Sequence, residues 1–237
     1  MIKKICLVFM CLCTFLPKVY SQEFFDTSDA PQFFTFGGRV GFNTSNRTFP
    51  NGNFNQWNYN GWGTGFNVGV VANLNFKEYL SIQPGIFFDS RSGGYSYLSN
   101  YINVMGQQDT HYQMGHLRGY NLIIPVMGIV KFNVTENVKW LVEFGPYLQF
   151  SLKQTGQNGT IVLYRTPSQT SYEPYAVNPN KFDFGFKMGS GLKLFEHYYI
   201  GFHYLAGVCH AWSLPSSLGL FSGGHNKEWT FTIGYDF

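Results

Sequence analysis

The sequence predicts an all-β fold, an eight-stranded antiparallel up-and-down transmembrane β-barrel with short periplasmic turns and long extracellular loops. Three observations predict it. Apolar and polar residues alternate with period two in eight segments, the connections between those segments are alternately short and long, and the composition is rich in rings and poor in charge. Aromatic residues make up 19% of the 237-residue chain and charged residues 12%, about half the share of an ordinary soluble domain. Such a chain exposes much of its surface to something other than water.

The segments follow in order. Phe33–Ser45 sets Phe34 and Phe42 against Arg39; Thr64–Phe76 carries Phe66 and Phe76; Leu80–Asp89 ends on Phe88 and, on the other parity, Asp89. Tyr120–Phe132 is bounded by rings, with Lys131 on the opposite parity. In Lys139–Leu152, Trp140, Val142, Phe144, Leu148, Phe150 and Leu152 oppose Glu143, Gly145, Gln149 and Ser151. Phe182–Leu194 sets Phe182, Phe184, Phe186, Met188, Leu192 and Leu194 against Asp183, Lys187, Lys193 and three glycines. Tyr198–Cys209 and Glu228–Phe237 complete the set, the last alternating Trp229, Phe231, Ile233, Tyr235 and Phe237 with small or polar residues that include Asp236. Successive side chains of a strand point to opposite faces, so every segment has an oily side and a polar side. The motifs "KEY", "NVTENV" and "FEH" are short links after the second, fourth and sixth segments, whereas the others are followed by long stretches rich in Asn, Gly, Ser and Tyr. All tight turns then fall at one end, as in outer-membrane barrels.

Volume decides which side faces inward. An eight-stranded interior is just wide enough to be filled by side chains, and the oily parity carries a large ring on essentially every segment. The rings therefore face lipid, and the lumen is expected to be small and polar. On the inward parity lie Arg39, Asp89, Lys131, Glu143, Asp183, Lys187, Lys193 and Asp236, read as a polar network that plugs the barrel.

Residues 1–21, "MIKKICLVFMCLCTFLPKVYS", combine Lys3 and Lys4, a short apolar run and small residues before Gln22, which is the pattern of a secretory signal peptide. Residues 22–32 are then a short periplasmic N-terminal segment, and 33–237 the barrel. Without the signal the chain has 13 basic and 13 acidic residues, so no basic balance argues for nucleic acid. Cys209 alone remains of the four cysteines, which leaves no disulfide framework and no cysteine metal site. No cofactor is expected.

In a closed barrel the last strand pairs with the first, because an open edge in hydrocarbon leaves backbone groups unpaired. Trp229, Phe231, Ile233, Tyr235 and Phe237 also form the alternating, aromatic-ended pattern of a C-terminal signal for the barrel-assembly machinery. Several segments, "FGGRVGFNTS" at 36–45, "LSIQPGIFF" at 80–88, "IPVMGIVKF" at 124–132, "VEFGPYLQF" at 142–150 and "FTIGYDF" at 231–237, resemble the successive strands of the PorT-like small outer-membrane barrels of the porin family. The resemblance covers nearly all of the chain after the signal. It implies an eight-stranded barrel in the outer membrane, in contact with its lipid and lipopolysaccharide, and it implies no particular activity; the secretion role behind the family's name is not carried over.

The function expected is structural or cell-surface interaction, without enzymatic activity. Trp57, Tyr59, Trp62, Tyr164, Tyr172 and Tyr175 fall in long loops and offer surfaces for a glycan or protein ligand. The alternatives are a rim-sited lipid-modifying enzyme using His203 or His210 with Ser213, a narrow channel, and a secretion accessory. The histidines otherwise read as exposed loop residues with no metal spacing.

Overall fold

The computed structural model describes residues 24–48, 57–102, 108–156, 162–163, 175–176, 178–179, 181–209, 212–213 and 225–237. The segment read as a signal peptide lies outside them. Eight strands form the main sheet: β1 (Phe34–Thr48), β2 (Trp57–Lys77), β3 (Leu80–Ile102), β4 (Gln108–Thr135), β5 (Val138–Gly156), β6 (Phe182–Leu194), β7 (Tyr198–Gly207) and β8 (His225–Asp236). Each pairs antiparallel with its sequence neighbours, and β8 pairs with β1 from Gly37↔Asp236 to Thr48↔His225, so the sheet closes on itself. The seam continues one residue further, where the Phe237 N–H donates to the Phe36 carbonyl at 2.8 Å. Two pairs of two-residue strands, Val162–Leu163 with Tyr175–Ala176 and Asn178–Pro179 with Trp212–Ser213, stand apart from the barrel.

Alternation sorts the side chains as a membrane requires. Val40, Phe42, Phe66, Val68, Ile86, Val142, Phe144, Phe186, Ile200, Phe202, Phe231 and Ile233 stand exposed on the outer face. The rings among them meet across strands in cross-strand pairs, for example Phe144 with Phe186 at 5.8 Å and Phe202 with Trp229 at 5.0 Å.

The connections at one end are tight, at 78–79, 136–137 and 195–197. In the last of these Phe195 (φ 51°) and Glu196 (φ 63°) are both left-handed, and the His197 N–H donates to the Leu194 carbonyl at 3.2 Å. Two consecutive positive φ values in a hairpin follow the right-handed strand twist, although neither residue is one that favours them. Residues 24–32 pack against this turn end. The Asn133 N–H donates to the Phe24 carbonyl and the Glu78 N–H to the Ser28 carbonyl, both at 3.1 Å, while Phe24 and Phe25 lie 5.0 and 4.9 Å from the Phe132 ring. Lys77 Nζ sits 2.5 Å from Asp29, and the hydrogen bond it donates holds that carboxyl below the usual range.

At the other end the strands are longer than the alternation foretold. A strand of about 9–11 residues crosses a bilayer, yet β3 has 23 residues and β4 has 28. The stretch after Asp89, read from its Ser, Gly and Asn content as a long loop, is in its larger part a hairpin continuous with the wall, paired from Leu80↔Val130 to Ile102↔Gln108. His111 and His116, taken as loop residues, therefore lie on β4, and Trp57, Tyr59 and Trp62 on β2. Tyr175 belongs to one of the short strands; Tyr164 and Tyr172 lie outside the described residues.

Candidate functional site: the barrel lumen

The lumen is where charge gathers, and it is layered. Nearest the loop end, Asp89 accepts from Asn43 Nδ2 at 2.6 Å and from Asn121 Nδ2 at 3.5 Å, and faces Arg91 Nε at 2.7 Å. Period two places residues 89 and 91 of β3 on the same inward face. The Arg91 guanidinium also pairs with Glu228 of β8. Since β2 and β1 stand between β3 and β8 in the wall, that pair crosses the lumen as a chord. Thr230 Oγ1 donates to Glu228 at 2.9 Å, and Asn226 Nδ2 to Asp183 at 2.7 Å.

Below this layer polar and apolar groups share the space. Glu143 accepts from the Tyr199 hydroxyl at 2.7 Å and lies 2.8 Å from His203 Nε2, with the hydroxyl 3.1 Å from the same nitrogen. The Tyr199 ring lies against Gly201 of its own strand and Gly191 of β6; a Cβ at Gly201 would stand 2.6 Å from Tyr199 Cζ, and one at Gly191 would stand 2.9 Å from Cε2. Glycine at both positions lets the ring reach Glu143. Lys187 Nζ is 5.0 Å from the centre of the Phe87 ring, and Arg39 stands 4.4 Å from that of Tyr199, both as cation–π contacts. Around them lie two buried apolar clusters, Val71, Phe87, Ile123, Tyr147 and Leu205, and Met127, Ile129, Leu141 and Tyr199. The expectation of a small, polar lumen is corrected accordingly: side chains must fill an eight-stranded interior, and bulky ones supply the volume.

At the turn end Arg39 pairs with Asp236 at 2.6 Å, and Lys193 reaches the same carboxylate at 3.2 Å. Lys131 Nζ donates to Asn75 Oδ1 at 2.8 Å. Lys139 bridges Glu78 and Glu196, each at 2.8 Å, and so ties the first tight turn to the third. Burial disfavours the Glu196 carboxylate, but the Lys139 hydrogen bond and the nearby Lys193 and Lys131 charges outweigh it and hold its pKa below the ordinary value.

Of the eight charged residues singled out from parity, Arg39, Asp89, Glu143, Asp183, Lys187 and Asp236 are buried in the lumen, and Lys131 and Lys193 are half-buried at its turn end. They form separate groups along the axis. Three central members were missed. Arg91 lies beyond the point where the alternation was ended, Glu228 opens the last segment, and His203 was assigned to a rim. His203 is in fact buried against Glu143 and Tyr199, on β7 within the wall, so its use with Ser213 at a rim is corrected; His210 lies outside the described residues. The five C-terminal residues Trp229, Phe231, Ile233, Tyr235 and Phe237 stand exposed on the outer face. Chemically, the carboxylates here are engaged by cations, amides or hydroxyls, Glu143 by the Tyr199 hydroxyl and His203, and no group of three or more His, Cys, Asp or Glu among the described residues is placed to hold a metal ion.

A closed antiparallel barrel with an apolar exterior and a packed, ion-paired interior is a membrane β-barrel, since only closure satisfies strand edges in hydrocarbon. The family model for the outer membrane protein beta-barrel domain matches residues 20–211, and the chain belongs to that family. It is an integral protein of the outer membrane. No curated protein matches the sequence. Among solved structures the chain is similar to Ail, the attachment invasion locus protein of Yersinia pestis, at 12% identity and a TM-score of 0.38 over 87% of this chain and 100% of that one. It is also similar to Neisserial surface protein A, at 9% identity and a TM-score of 0.42 over 85% and 97%. A third is the outer membrane protein OprG from Pseudomonas aeruginosa, at 9% identity and a TM-score of 0.41 over 90% and 97%.

Proposed function

We propose that this chain is a non-enzymatic surface protein whose barrel serves as a closed anchor, with the long β3–β4 hairpin, and the ends of β2 and β5 beside it, presenting a binding face outside the cell. The observation that carries this reading is the division of the molecule. The lumen ties Arg91 to Asp89 and Glu228 and fills with apolar side chains, while the wall extends on one side far beyond the length a bilayer needs. Tight turns at the periplasmic side and projecting strands at the outer side follow the usual orientation of such barrels. Trp229, Phe231, Ile233, Tyr235 and Phe237 act in this reading as the signal read by the barrel-assembly machinery, and the partners of the mature protein are outer-membrane lipid, lipopolysaccharide, and a glycan or protein met by the hairpin.

The test uses full-length protein in lipid nanodiscs, screened against glycan arrays and extracellular-matrix proteins, beside a variant in which Ser92–Arg118 is replaced by Asn-Gly. Binding by the full chain that the shortened but folded barrel loses supports the proposal. Equal binding by both removes the hairpin from it, and a steady conductance in planar bilayers refutes the closed anchor. The PorT-like resemblance supports a secretion-accessory role only if cross-linking in intact cells recovers secretion components, which the proposal does not expect.

A further inference from the structure

We infer that the loop end of the lumen holds one monovalent cation, in a niche of oxygens between β5 and β6 built on Asp183. This goes beyond the surface-binding reading and does not rest on it. Charge points there first. Among the described residues five carboxylates are buried in the lumen, and four of them stand at salt-bridge distance from a basic side chain. Asp89 and Glu228 share Arg91, Asp236 has Arg39 and Lys193, and Glu143 has His203. Asp183, 3% exposed, has no such partner among the described residues. Its Oδ2 accepts from Asn226 Nδ2 at 2.7 Å, while Oδ1 is left without a hydrogen-bond partner. The remaining buried cation, Lys187, lies four residues deeper on β6, about 13 Å along the strand, with Nζ over the Phe87 ring.

The strands set further unsatisfied oxygens beside that carboxyl. Gln149 is the cross-strand partner of Asp183 on β5 and is 4% exposed; its Nε2 turns to Asn121 at 3.4 Å, and Oε1 is unpartnered. Tyr147, two residues deeper on the same face and 1% exposed, lays its ring across Gly185 of β6, where a Cβ would stand 2.8 Å from both Cε1 and Cζ. The Asp183 carboxyl lies in the same way across Gly207 of β7, where a Cβ would stand 2.6 Å from Oδ2 and 3.1 Å from Oδ1. Gly185 and Gly207 are themselves cross-strand partners, so phenol and carboxyl rest on one glycine floor. The Tyr147 hydroxyl makes no hydrogen bond there, and Ser151 Oγ, the next inward group of β5 beyond Gln149, makes none either. The Cys209 and Phe184 N–H groups turn toward the carboxyl without closing a hydrogen bond on Oδ1.

The donor set selects the occupant. A water molecule would satisfy the oxygens and leave the charge unbalanced, and an unpaired buried charge is the costlier fault. Oxygen ligands alone suit a hard cation. One free carboxylate among neutral oxygens balances a single positive charge, whereas calcium sites draw on several carboxylates, and those of Asp89 and Glu228 are taken by Arg91. The shared chemistry is that of an alkali-metal ion or of the ammonium group of a small amine.

The test unfolds the full chain in urea from phosphatidylcholine vesicles at constant ionic strength, as sodium, potassium or methylammonium chloride replaces choline chloride, whose cation is the bulkiest. A cation that binds only the folded barrel raises its stability with the logarithm of concentration. The wild-type midpoint should therefore climb with at least one of the small cations. A response to sodium or potassium alone assigns a metal ion, and one to methylammonium an amine. Asp183→Asn should flatten the climb, and Asp29→Asn, which removes an exposed carboxylate at the turn end, should keep it. Tyr147→Phe keeps the ring and removes one oxygen; it should weaken apparent affinity roughly tenfold without loss of stability in choline, and it carries the test should Asp183→Asn fail to fold. Crystals soaked in thallium(I) should show an anomalous peak against Asp183 Oδ1 and Gln149 Oε1. Equal wild-type midpoints in all four salts, an undiminished climb in either folded niche variant, a response to calcium alone, or a niche that holds only water in the thallium soak overturns the inference.

Discussion

Arg91 is the one described residue whose loss should tear the lumen network. It faces Asp89 at 2.7 Å and pairs with Glu228, and the side chains of all three are 5% exposed or less. Arg91→Met keeps an apolar stem of similar reach and removes the guanidinium, so that two carboxylates lose their shared counter-charge with Asp183 nearby in the same layer. Removing one partner of a buried ion pair costs about 3–5 kcal/mol. At about 1.4 kcal/mol per tenfold, this lowers the folding equilibrium constant roughly a hundredfold to four-thousandfold. Urea unfolding of the barrel from lipid vesicles, followed by tryptophan fluorescence and gel mobility, reads the difference. The triple variant Arg91→Met, Asp89→Asn, Glu228→Gln withdraws the stranded charges together, and most of the loss should return because a neutral replacement of a buried charge cluster costs little. An Arg91→Met barrel within about 1 kcal/mol of wild type would refute the reasoning, as would a triple variant no more stable than the single one.

Three further outcomes are expected. Tyr199→Phe leaves Glu143 short of a donor and lowers stability by about 1–3 kcal/mol; Gly201→Ala, which forces the same ring aside, costs about 1–3 kcal/mol, and the two together cost less than their sum in the same unfolding assay. Phe195→Asn places a residue tolerant of positive φ in the left-handed turn position and stabilises the barrel by about 1 kcal/mol; no change in the urea midpoint would speak against strain at that turn. Glu196 has a folded pKa below its unfolded one, so its tie to Lys139 contributes fully above the unfolded pKa and is lost as pH falls through the folded value. The stability gap between wild type and Glu196→Gln should therefore be present at neutral pH and close on acidification, and a gap that widens with acid would contradict the assignment.

The wall of the barrel was legible because period two is a direct consequence of strand geometry, and Val142 to Phe150 shows it with Tyr147 as the one ring on the inward parity. Its upper reach was not legible. From Ser90 onward, Gly, Ser and Asn weaken the contrast between faces, and residues outside the membrane have no lipid to enforce it, although Tyr95, Tyr97 and Tyr101 keep a spacing compatible with a strand. The site shows the same split. Arg39 and Asp236 could be placed in the lumen by parity alone, while their pairing depends on the β1–β8 register, which no local pattern states. Arg91 escaped because the third segment was ended at Asp89, two residues early. Phe87, Tyr147 and Tyr199 fell on the inward parity in plain sight, but a lumen thought of as hydrophilic gave them no place; the volume argument that sent other rings outward also requires a few inside.

The β3–β4 hairpin imposes a rule on how this protein can vary. Because β3 and β4 keep one register from Leu80↔Val130 to Ile102↔Gln108, a single residue inserted in either arm must be taken up as a β-bulge or it exchanges the two faces of everything beyond it. Without a bulge, length changes there only in matched, even steps. Diversification under pressure from outside the cell should then take the form of substitution along the hairpin more than of insertion into it.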